Sequence, residues 1–127
     1  MEIFQQTFFI IGAILGLLGV AAGAFGSHAL KLRIPADSLH VFEVAARYQM
    51  YHALVLISLV AIMQLFPSLW FVWAGWLLIV GVVIFSGSLY ALVLSSARFW
   101  GAITSIGGFI LSVGWLLLVL GGIFSRF

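Results

Sequence analysis

The stretch that decides the fold is Gly26–His52, GSHALKLRIPADSLHVFEVAARYQMYH. It holds all three histidines and five of the eight charged side chains of a 127-residue chain. Elsewhere the chain is oily. It is 65% hydrophobic and 6% charged, with mean hydropathy +1.34. A soluble domain carries about 25% charged residues, so this chain could not cover a water-facing surface. Residues 1–127 therefore read as one all-α domain, a polytopic bundle of four transmembrane helices.

Inside the stretch, Pro35 breaks any helix arriving from the N-terminal side, and Pro35-Ala36-Asp37-Ser38 is a helix start. One long helix is expected from there. Its first part, about 36–46, is an amphipathic interfacial extension of the second span. His40, Glu43, Arg47 and Tyr51 fall on one face of it, and Leu39, Phe42 and Ala46 on another. Glu43 and Arg47 stand at i, i+4 with the acid first, the favourable order for a pair. Pro67 must stop this helix, and counting back about 20 residues from Phe66 lands on Arg47. The second span is thus about 47–66, with Arg47, Gln49 and His52 at or just inside the membrane boundary.

Working outward, the N-terminal segment Phe8–Phe25 is about 27 Å long as a helix, enough to cross the hydrocarbon. Met-Glu precedes it, with no Lys or Arg, so a retained helix is expected rather than a cleaved signal. Gly12, Gly16, Gly19 and Gly23 lie on one stripe, the usual mark of close approach by another helix. On the C-terminal side, the third span is expected over about 69–94. Trp70, Trp73 and Trp76 stand near its start as an interfacial belt. The fourth runs over about 100–124, with Gly101, Ser105, Gly108 and Ser112 repeating the first stripe's spacing. Equal stripes suggest that segments one and four pack together, or that each packs on a second copy.

With four spans, the links after segments one and three share a side that holds Lys31, Arg33, Arg47 and Arg98, against Arg126 on the other. The positive-inside rule places those links in the cytoplasm and both termini outside. Topology then gathers the polar side chains in one half of the membrane. His28, Glu43, Arg47, Gln49, Tyr51, His52, Ser86, Ser88, Tyr90 and Thr104 form the candidate cluster. Lys31, Arg33 and Arg98 are candidate contacts for anionic lipid head groups.

The same residues carry a likeness. Gly23-Ala24-Phe25-Gly26-Ser27-His28-Ala29-Leu30, Phe42-Glu43, Arg47-Tyr48-Gln49-Met50-Tyr51-His52-Ala53, Phe85-Ser86-Gly87-Ser88-Leu89-Tyr90 and Gly101-Ala102-Ile103-Thr104-Ser105-Ile106-Gly107-Gly108 resemble the YgdD/YwdK-like family. These are small bacterial membrane proteins catalogued as a domain of unknown function, with small transmembrane relatives in eukaryotes. The resemblance implies four transmembrane helices and a bacterial inner-membrane location, and no reaction. Ser105 stands where the family pattern has a proline.

The chemistry that the residues exclude is broad. With no cysteine there is no disulfide, thiolate metal site, cysteine nucleophile or S-acylation. No basic run exists for nucleic acid. His40 and Glu43 are spaced as a ligand pair, but His52 lies about 120° round the helix and Arg47 would compete with a cation, so no metal and no cofactor is expected. No G-x-S-x-G elbow or free acid supports a Ser–His pair, so no catalytic residue is assigned. The expectation is a non-enzymatic bundle. Its cluster ties helix ends and presents a surface to membrane lipids, a protein partner or a second copy. The alternative is movement of protons or small solutes through an oligomer by way of the His/Arg/Tyr cluster. It suffers from an apolar outer half in which only Gln64 is polar.

Overall fold

A computed structural model describes residues 2–127. It contains α1 (Glu2–His28), α2 (Ala36–Leu65), α3 (Leu69–Ser95) and α4 (Phe99–Phe124), with a 3-10 turn, Leu30–Leu32, between the first two. All four helices are long and apolar enough to cross a membrane. Segment one is longer at both ends than the apolar run Phe8–Phe25 implies.

Each boundary has a local cause. Pro35 sits before α2 with φ −60° and ψ 155°, the extended backbone of a cap, and Asp37 places an acid in the first turn. The interfacial part and the second span are one unbroken helix, ended ahead of Pro67. Ser68 caps α3, its Oγ accepting from Trp70 N–H at 3.3 Å. Ser96 ends α3 in the left-handed region at φ 58°. Its N–H donates to Leu92 O at 2.8 Å. With Ser105 in place of proline, α4 runs without interruption.

Short links make neighbouring helices antiparallel, and they pack in chain order: α1 on α2, α2 on α3, α3 on α4. The core lies among Phe8, Leu56, Leu59, Met63, Phe71, Leu78, Val82 and Leu111. α1 meets α2 through Gly12, Gly19 and Gly26. A Cβ at these positions would lie 3.1 Å from Ala53 O, 3.3 Å from Met50 Cε and 2.9 Å from the Phe42 ring respectively. Gly16 faces Ala53 more loosely, and a Cβ at Gly23 would meet nothing within 4 Å.

One expectation is corrected. Among the described residues α1 and α4 do not touch, so the two small-residue stripes do not pack on each other. Gly101, Ser105 and Ser112 are exposed, and Gly108 has only the edge of the Phe85 ring near it, at 3.8 Å. The glycines that α4 uses are Gly107, Gly114 and Gly121, seated on Phe85, Leu78 and Phe71 of α3. Both sets advance by seven residues, in opposite directions, which keeps one seam of an antiparallel pair in register. A Cβ at Gly107 would lie 2.5 Å from Phe85 N. The bulk on α3 selects this face. Of the three tryptophans at the start of α3, Trp76 is half-buried, with its ring 5.3 Å from that of Phe8 in an edge-on contact, whereas Trp70 and Trp73 are exposed.

Candidate functional site

Six of the ten cluster residues join in hydrogen bonds between or along helices, from the middle of the bundle toward one end: Gln49, His52, Ser86, Ser88, Tyr90 and Thr104. His28, Glu43, Arg47 and Tyr51 are exposed and stand outside the network. The division follows helical angle. Gln49, His52 and Ala53 continue the buried side of α2 set by Phe42, Ala45 and Ala46, while Glu43, Arg47 and Tyr51 continue the exposed side.

The network ties every neighbouring pair of helices. Gln49 Nε2 donates to Leu15 O at 2.9 Å, joining α2 to α1. Tyr90 Oη donates to Gln49 Oε1 at 2.7 Å, and Ser86 Oγ donates to Ala45 O at 2.8 Å; both join α3 to α2. The hydroxyls of Ser88 and Thr104 meet across α3 and α4. Each of these hydroxyls also reaches a carbonyl of its own helix, Phe85 O and Trp100 O, at 2.9 Å. Two protons can make only two of those three contacts at a time, so either hydroxyl can be the one that donates across the helices.

His52 links α2 to α4. Its Nδ1 donates to Tyr48 O at 2.7 Å, which makes the neutral ring an Nδ1–H tautomer and leaves Nε2 as an acceptor. Trp115 Nε1–H donates to it at 3.2 Å. A doubly protonated ring would have nothing to offer that indole. Trp115 is the participant that sequence reasoning missed. The available signal was an indole N–H in the body of a span, far from the aromatic belt, which needs an acceptor in lipid. The carbonyls of Leu15 and Ala45 carry no residue-type signal at all.

Lys31, Arg33 and Arg98 are exposed, the first two in the link after α1 and the third in the link after α3. They share the end of the bundle where the network lies. The histidines do not converge: His28 and His40 are exposed and His52 is buried in the Tyr48–Trp115 contacts. Among the described residues no three His, Asp or Glu side chains gather as a metal site.

This geometry can be set beside known proteins. The profile of the family described as "Protein of unknown function (DUF423)" matches residues 22–108. That range runs from the end of α1 through the glycines that begin the α3–α4 seam, and so includes all of the bonded side chains except Trp115. The chain belongs to the DUF423 family. Its similarity extends to a UPF0382 membrane protein of Staphylococcus saprophyticus, 47% identical over 117 residues, covering 92% of this chain and 97% of that one. The UPF0382 inner membrane protein YgdD of Escherichia coli strain K12 is 40% identical over 114 residues, covering 90% of this chain and 87% of that one. No solved structure matches. Membership makes the chain a membrane protein, and the family description assigns it no activity.

Proposed function

We propose that this DUF423 member is a non-enzymatic bundle whose polar cluster fixes the register of four helices at the cytoplasmic end and holds a basic rim against anionic lipid head groups. The observation that carries it is the distribution of the ties. Each pair of sequence neighbours has a side-chain hydrogen bond, and these run from the middle of the bundle, at Leu15, toward the end that bears Lys31, Arg33 and Arg98. Fixed helix ends fix the basic residues that follow them. In this reading the basic links are cytoplasmic and both termini lie outside. Head groups of anionic lipids on that leaflet then attract the rim at about 1 kcal/mol per basic side chain. Packing beyond the network supports this over a conducting path. Phe8, Leu56, Leu59, Met63 and Leu78 fill the other half of the bundle, all at 1% exposure or less.

The test is the lipid that copurifies. Replacing Lys31, Arg33 and Arg98 by Gln should bring the anionic share of bound lipid down to that of the surrounding membrane. An unchanged share contradicts the reading and leaves the rim to a protein partner.

A further inference from the structure

α1 and α3 both rest on α2 but meet each other only near their far ends, where Phe8 inserts against Gly75. Toward the polar end they diverge and leave a groove of about 180 Å³ over α2. Leu15 and Leu18 form one wall, Val82 and Val83 the other, and Gln49 and Tyr90 lie at the polar floor. Gly87 also lines it, and a Cβ there would meet nothing within 4 Å.

The floor is not chemically closed. Gln49 is 6% exposed. Its Oε1 accepts from Tyr90, and one of its two amide protons goes to Leu15 O. The other has no protein acceptor among the described residues, and an unmet donor in an apolar site is costly. The groove therefore suits a molecule with an apolar chain and a carbonyl at one end of it. Depth narrows the class. Gln49 precedes Phe66 by seventeen residues, about 25 Å of helix, so it lies roughly 5 Å inside the far boundary of a 30 Å core. That is close to the level where acyl chains meet their glycerol esters. The links that follow the two walls carry Lys31, Arg33 and Arg98, which match a phosphate above such an ester.

We infer that this groove seats one acyl chain of an anionic glycerophospholipid of the cytoplasmic leaflet, its ester carbonyl accepting from the free Gln49 N–H. The head-group part rests on the proposed function; the chain and carbonyl part does not. The experiment is native mass spectrometry of the protein from nanodiscs of phosphatidylglycerol and phosphatidylethanolamine in equal amounts. The wild-type chain should carry one phosphatidylglycerol that survives activation. Gly87→Leu projects into the groove from a position where a Cβ has open space, so occupancy should fall at least tenfold while the melting temperature holds. Val83→Trp blocks the groove one helical turn away on the same wall and should do the same. If Gly87→Leu and Val83→Trp, folded, keep the lipid, the inference is wrong. Replacing Lys31, Arg33 and Arg98 by Gln should leave one lipid bound and abolish the preference for phosphatidylglycerol. Loss of that preference alone supports both readings. Retained preference with groove variants that lose the lipid overturns the head-group reading and keeps the groove.

Discussion

Gly101 and Gly107 stand on the same helix and do opposite things. A Cβ at Gly101 meets open space, while one at Gly107 runs into the backbone of Phe85. Gly101→Ala should therefore stabilise the protein by about 0.5–1 kcal/mol, the usual helix penalty of glycine. Gly107→Ala should destabilise it by about 1–3 kcal/mol, because backbone cannot move aside as a side chain can. Unfolding equilibria in detergent, measured on both variants, check the sign of each. A stabilised Gly107→Ala would mean that the α3–α4 seam is misplaced. At this scale the sequence was half legible. The α1 stripe at Gly12 and Gly19 points where its spacing says, because only one glycine-rich face exists on that helix. α4 has two such faces, about 150° apart. The choice between them is made by Phe71, Leu78 and Phe85, which belong to another helix.

Helices are joined here by single polar contacts laid over apolar packing. The Gln49 amide is the most connected of them, reaching α1 through Leu15 O and α3 through Tyr90. Side-chain hydrogen bonds between transmembrane helices average about 0.6 kcal/mol and reach about 1.7. In a double-mutant cycle, Tyr90→Phe and Gln49→Met should couple by an energy in that range. Strictly additive costs would show that the two side chains do not share a bond. The residue types of the network were legible, because polar groups within a span need partners. The split between bonded and exposed members was not drawn from the sequence, which grouped all ten, although it follows the angle that separates Gln49 and His52 from Glu43 and Arg47. The partners were not legible: Leu15 and Ala45 contribute carbonyls, and a carbonyl is the same in every residue.

For the whole molecule, chain order dictates the packing. Each helix lies against the next, and the bundle is not closed by contact of α1 with α4 among the described residues. That openness leaves the groove between α1 and α3 and the outward small-residue face of α4. Composition made four spans legible, since 6% charge leaves nothing to cover a soluble surface. Closure was not legible, because equal stripe spacing on two helices carries no information about which neighbour each one faces. What the account requires above all is that the links after α1 and α3 emerge together, on the cytoplasmic side. The chain has no cysteine, so single cysteines can be introduced on a clean background. Ser27→Cys, Ser96→Cys and Pro67→Cys replace exposed or linking residues at the two ends of the bundle. With a membrane-impermeant maleimide on intact spheroplasts, the account predicts that only Pro67→Cys is labelled, and that Ser27→Cys and Ser96→Cys react once the membrane is opened. Labelling of Ser27→Cys and Ser96→Cys from opposite faces, or of both from outside, would contradict it.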